Sequence, residues 1–182
     1  MIRLVRPAAI AAAILFTASL TLAQDNKLKV KVGDAFPSVP LEASSIDKAK
    51  AGAKTISIDD FKGRNVVIFF YPKALTKGCT IESCGFRDII KEFPSDAVVL
   101  GASADDVPLQ TKFTETHMLP YALLADTDLK LIKSLGILSA SGKTPTRVTF
   151  VVGKDGKIAK IYDKVTPASH PKEVLAFVKS LK

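Results

Sequence analysis

Residues 65–88 read NVVIFFYPKALTKGCTIESCGFRD, and this stretch organises the rest of the chain. Asn65 to Tyr71 is a continuous run rich in β-branched and aromatic side chains, the pattern of a buried central strand. Pro72 ends it and opens a loop. From Thr80 onward, Phe86, Ile89, Ile90 and Phe93 repeat at helical spacing, so a helix is expected over 80–93, stopped by Pro94. Both cysteines of the chain, Cys79 and Cys84, fall at the start of that helix.

Outward from this unit, apolar strands alternate with helices. Residues 97–103 (AVVLGAS) and 121–126 (YALLAD) read as further strands. Asp105, Asp106 and Pro108 form a helix-start cluster for a segment running to about Met118, and 128–138 reads as a helix closed by Gly136. RVTFVV and KIAKIYD flank the turn residues 153–156, a hairpin signal. Val174, Phe177, Val178 and Leu181 mark an amphipathic closing helix over 167–181. Before the central strand, 32–44 suits an edge segment because of its prolines, and 54–64 reads as a short strand and a turn. The order β-α-β-α-β-α followed by β-β-α implies a three-layer α/β/α fold with a mixed central sheet. It resembles a thioredoxin-like core, which ends in the same ββα unit.

Residues 1–23 differ from everything after them. Arg3 and Arg6 precede an apolar run from Ala8 to Leu15, and Thr21, Leu22 and Ala23 offer small residues where a signal peptidase reads. A cleaved secretory signal over 1–23 and one domain over 24–182 are expected, with an exported, periplasmic product and no stable membrane association after cleavage. An uncleaved anchor is the alternative. Cleavage would remove two arginines and no acid, lowering the net charge from +8 to +6. The lysines are scattered and not interleaved with aromatics, which argues against nucleic acid as a partner.

Export would permit disulfides, so one structural bridge is the plain reading of two cysteines. The helix argues against it. Two helical residues five apart have Cα atoms roughly 8.6 Å apart, whereas a disulfide spans less than about 7 Å. A Cys79–Cys84 bridge therefore requires local unwinding, which weak helix-forming Gly85 would ease. That makes a poor staple and a plausible redox switch. Cys79 also lies where unpaired amides and the positive end of the helix dipole favour a thiolate, with Lys73 and Lys77 close in sequence.

Pro72-x-x-x-Thr76-x-x-Cys79 matches the PxxxTxxC signature of peroxiredoxins, and the chain resembles their PrxQ class, also called bacterioferritin comigratory protein. VGDAFP, LLAD, TRVTFVVGKDGKI and SHPKEVL extend the resemblance over most of the chain after residue 23. Lys77 stands where that class often has proline, and Ala74-Leu75 where it often has acidic or polar residues. The resemblance implies a thiol peroxidase acting on hydrogen peroxide and organic hydroperoxides, with no cofactor and no metal. It implies Cys79 as the peroxidatic cysteine and Cys84 as the resolving one. Thr76 would bind the peroxide and orient the thiolate, Pro72 would shield the site from water, and Arg147 would hold the thiolate and the peroxide oxygens. A thioredoxin-like partner would re-reduce the bridge. The class is often monomeric, so a single chain is expected.

Two rival chemistries use related parts. Sco-type copper proteins combine two thiols with a distant histidine, here Cys79, Cys84 and His170, but separate the thiols by three residues instead of four. A disulfide reductase of the thioredoxin kind needs C-x-x-C, which is absent. Glu82 fits either a partner for Arg147 or Lys77 or an acid favouring the helix start, and Asp126 and Asp128 fit caps at a strand-to-helix junction.

Overall fold

The computed structural model describes residues 28 to 181, so the expected signal over 1–23 lies outside the described residues. A six-stranded mixed sheet runs through the protein. Its strands are β1 (Glu42–Ser44), β2 (Asn65–Phe70), β3 (Ala97–Ser103), β4 (Leu123–Ala125), β5 (Val148–Val152) and β6 (Ile158–Tyr162). They lie in the order β1-β4-β3-β2-β5-β6. β2, β3 and β4 are parallel neighbours, while β1, β5 and β6 pair antiparallel. The parallel centre is continuous apolar sequence because both of its faces are covered.

Alternation along β2 divides the core. Val66, Ile68 and Phe70 face one side, where Phe150 and helix α3 (Lys130–Leu135) supply the packing. Val67 and Phe69 face the other, against Phe86 of α1 (Lys77–Ile89), Phe113 of α2 (Val107–His117) and Val174 and Val178 of α4 (His170–Ser180). The three-layer expectation and the mixed sheet are both present. Gly101 in β3 is required by this second face: a Cβ there would lie 2.6 Å from Leu123 and 3.0 Å from Phe69.

Two local expectations change. Residues 54–64 form no strand; Ile56 makes one bridge to Leu41 and the chain then turns into a 3-10 helix, Ile58–Phe61. Ser57 and Asp60 explain this, because the Ser57 amide donates to the Asp60 carboxylate at 2.8 Å in a capping box. The acidic pair before α2 also divides its labour. Asp106 caps the helix by accepting the Leu109 amide at 2.9 Å, while Asp105 points elsewhere. Asp126 does cap α3, accepting the amides of Lys130 and Ile132 at 2.8 Å each.

Candidate active site

The site lies where β2 ends and α1 begins. Thr76 is the N-cap of α1, and the first helical hydrogen bond runs from the Thr80 amide to the Thr76 carbonyl at 2.8 Å. The amides of residues 77–79 precede that bond, so the positive end of the helix faces the Cys79 side chain. Cys79 is 1% exposed and forms no disulfide. Helix α1 therefore starts earlier than periodicity indicates, at Lys77, because the apolar pattern begins only at the first buried turn.

Strand pairing supplies the cation. Phe70 sits opposite Val148 across the β2–β5 ladder, which places Arg147 beside the exit of β2. Its Nη2 donates toward Cys79 Sγ at 3.1 Å. Its Nη1 binds Glu82 Oε2, one turn further along α1. One guanidinium thus spans a thiol and a carboxylate in fixed geometry, as its planar fork allows. Of the two readings open for Glu82, the structure selects the Arg147 partner.

Glu82 is fully buried. Burial pushes its carboxyl up to about 7, against the opposing pull of Arg147. Its second oxygen has no hydrogen-bond partner among the described residues and lies 3.9 Å from His170 Nε2. His170, also buried, is bound through Nε2 to the Thr149 hydroxyl at 2.8 Å, and burial pushes its imidazole down to about 4. The histidine weighed as a copper ligand is thus committed to Thr149 and packed edge-on against Phe86 and Tyr162. Among the described residues no cluster of histidine, cysteine and carboxylate side chains is arranged to hold a metal ion.

The loop from Pro72 to Thr76 forms the rim. Pro72 is half-buried, and the exposed Thr76 hydroxyl donates to the Lys73 carbonyl at 2.9 Å, leaving its oxygen free to accept. Leu75 adopts φ +62°, a left-handed conformation that costs an L-residue about 1–2 kcal/mol. Cys84 is half-buried on the same unbroken helix as Cys79, so the five-residue separation is spanned by regular helix. That helix is pinned along its length. The Tyr121 hydroxyl donates to the Ser83 carbonyl at 2.6 Å, and Arg87 donates to the His117 carbonyl at 2.8 Å. At Gly85 the helix touches α4 so closely that a Cβ would lie 2.8 Å from Pro171. Tyr121, Thr149 and Asp105 carry no functional motif in the sequence; each reaches the site from a distant element.

The arrangement suits nucleophilic thiol chemistry on a small polar substrate: a sulfur at a helix start, a fixed cation beside it and hydrogen-bonding groups around it. Comparison with known proteins agrees. Residues 32–161 match the model of the AhpC/TSA family. The chain belongs to that family. Within it, the relatives and solved structures place the chain in the PrxQ or Bcp class of peroxiredoxins. It is 33% identical to peroxiredoxin Bcp of Bacillus subtilis over 161 residues, covering 85% of this chain and 98% of that one. Peroxiredoxin Bcp of Escherichia coli K12 is also 33% identical, over 82% of this chain and 96% of its own. Among solved structures, a cysteine-to-serine mutant of Xylella fastidiosa PrxQ superposes with a TM-score of 0.74 at 26% identity, covering 83% of this chain and 96% of its own. BcpB of Mycobacterium tuberculosis superposes with a TM-score of 0.72 at 31% identity, covering 84% and 99%. This peroxiredoxin is accordingly a thiol-dependent peroxidase with a thioredoxin-like fold.

Proposed function

We propose that Cys79 is the nucleophile of this peroxidase, that Cys84 resolves it, and that the substrates are hydrogen peroxide and organic hydroperoxides. The observation that carries the reading is the guanidinium of Arg147 held 3.1 Å from the Cys79 sulfur at the start of a helix. The thiolate attacks the terminal oxygen of the hydroperoxide. An S–O bond forms as the O–O bond breaks, and the electron pair leaves on the departing oxygen, which takes up a proton to become water or an alcohol. Arg147 and the Cys79 amide stabilise charge on that oxygen. Thr76, whose hydroxyl donates to the Lys73 carbonyl, accepts from the peroxide hydroxyl and so orients it. Pro72 limits water at the rim.

Cys79 is then a sulfenic acid. The thiol of Cys84 condenses with it, expelling water and forming a disulfide. Both residues sit on regular helix, so the second half of the cycle requires α1 to unwind. Burial of Cys79 supports an internal partner, because a protein thiol cannot reach a sulfur that is 1% exposed. A thioredoxin-like dithiol returns two electrons to the bridge after unwinding has brought it out. The leader-like pattern of residues 1–23 supports export to the periplasm with the leader cleaved, and the resemblance to the PrxQ class supports a single chain.

The decisive experiment is peroxide consumption with a thioredoxin-like protein as the dithiol by the wild type, Cys79→Ser and Cys84→Ser, with disulfides mapped by mass spectrometry. Cys79→Ser is expected to be inactive. Cys84→Ser is expected to consume one peroxide per chain and then stall as the sulfenic acid. Sustained turnover by Cys79→Ser would reject the nucleophile. An oxidised wild type lacking an internal crosslink would reject the resolving role. Terminal sequencing of exported protein beginning at Gln24 checks the leader.

A further inference from the structure

The strained loop at the rim of the site is held from behind by a carboxylate. Leu75 keeps its left-handed conformation at the exposed rim, where 37% of the residue is open to solvent. Its neighbour Ala74 is buried and donates its amide to Asp105 Oδ2 at 2.7 Å. The same oxygen accepts the Ser103 hydroxyl at 2.8 Å. The Ser103 oxygen in turn accepts the Asp105 amide at 3.1 Å and Gln110 Nε2 at 2.8 Å. Gln110 Nε2 also donates to the Leu124 carbonyl at 3.0 Å, and its Oε1 accepts the hydroxyl of Tyr71, next to Pro72. Ser103 and Gln110 are fully buried. A chain of hydrogen bonds from strand β4 through Gln110 of helix α2 and Ser103 of strand β3 thus ends on one Asp105 oxygen, and that oxygen accepts the backbone amide of the loop.

We propose that Asp105 is a positioning residue, fixing the Pro72–Thr76 loop and hence the N-cap of α1 over the Cys79 sulfur through its hydrogen bond to the Ala74 amide. The proposal rests on Cys79 being the nucleophile. A carboxylate is used because charge-assisted bonds to an amide are short and strong. Its negative charge does not help the reaction directly, since a second anion near a thiolate opposes it. What the site uses is the place of the acceptor. Without it, Leu75 is free to leave the left-handed region, and Thr76 and the first turn shift with it.

Charge and acceptor position can be separated by substitution. Asp105→Asn loses the charge and keeps an oxygen that can occupy the same position, with its new amino group on the side where the other carboxylate oxygen accepts nothing from the described residues. Asp105→Glu keeps the charge and moves the acceptor by one methylene. Asp105→Ala removes both. Single-turnover oxidation of the reduced proteins by hydrogen peroxide, quenched by thiol alkylation, gives the rate. Asp105→Ala and Asp105→Glu are expected to react about ten- to a hundredfold more slowly, the usual effect of a displacement of about 1 Å at a reacting centre. Asp105→Asn is expected within about threefold of the wild type on the same scale of effects. Amide exchange over residues 72–76 is expected to rise in the slow variants and stay protected in Asp105→Asn. Wild-type rates in Asp105→Ala and Asp105→Glu would overturn the proposal, as would an Asp105→Asn as slow as Asp105→Glu. Should Asp105→Ala not fold, the contrast between Asn and Glu decides the matter by itself. An active Cys79→Ser control would instead overturn the nucleophile.

Discussion

On the α3 side of the sheet, Phe150 meets Phe36 and Phe70 edge-on with ring centroids 5.5 and 6.0 Å away, and Leu131, Ile132 and Leu135 close the layer. On the opposite side Phe69 stacks on Phe86 at 4.7 Å, but the same layer hides Glu82, His170 and Thr149. Several of its polar atoms have no partner among the described residues: one Glu82 oxygen, the Ser83 hydroxyl and His170 Nδ1. Buried polar atoms without partners raise the free energy of the state that buries them. The first face is built to stay assembled. The second is less stable than its apolar content would make it, and it carries the helix that the proposed cycle must unwind.

Substitutions that probe each face test this contrast. The largest effect belongs to the apolar side. Phe150→Ala is expected to cost about 3–5 kcal/mol in denaturant unfolding while leaving the peroxide rate of the folded fraction unchanged. A selective loss of reactivity without loss of stability would blur the two faces.

Next come the titrating groups, which act at opposite ends of the pH scale. Glu82 has its carboxyl raised by burial from 4.5 to about 7. The folded state therefore holds the proton more tightly than the unfolded state, and this contribution is fully present below pH 4.5 and lost as pH rises through about 7. Glu82→Gln should gain stability relative to the wild type over that window, by about 3 kcal/mol at its upper end. His170 has its imidazole lowered by burial from 6.5 to about 4. Its contribution is present above pH 6.5 and lost as pH falls through about 4. His170→Asn should gain relative to the wild type on the acid side only. Unfolding curves that respond to both substitutions identically with pH would contradict the assignment.

Gly85→Ala sharpens the contrast at the seam between α1 and α4. Alanine favours a helix over glycine by about 1 kcal/mol, but overpacking costs about 1–3 kcal/mol, so a net loss of about 1 kcal/mol is expected. Its Cβ would meet Pro171 at 2.8 Å, and a thermal melt measures the outcome. Last is the Lys50–Asp60 pair, whose lysine is half-exposed. Lys50→Met should change stability by less than about 1 kcal/mol.

The sheet is legible in the sequence because its signal is local. Val66 to Tyr71 and Val98 to Ala102 announce central strands by composition, and Phe86 with Ile89 announces the helix face. Residues 54–64 mislead because the apolar residues around Ser57 and Asp60 suggest a strand, while the capping box those two form turns the chain instead. At the site, spacing and family resemblance bring forward Cys79, Thr76 and Arg147, and the fold brings Cys79 and Arg147 into contact. Asp105 reads as part of a helix start because it stands beside Asp106, which is one; only the folded chain shows that it reaches Ala74. His170 and Thr149 meet through the packing of α4 on β5, a relation that no local pattern encodes.

The contact between Gly85 and Pro171 leaves no room for even one added carbon. Under the proposed cycle, a covalent staple across that seam would separate consumption of oxidant from regeneration of the catalyst. Such a stapled molecule would destroy peroxide once and then accumulate spent, turning a renewable defence into a stoichiometric sponge.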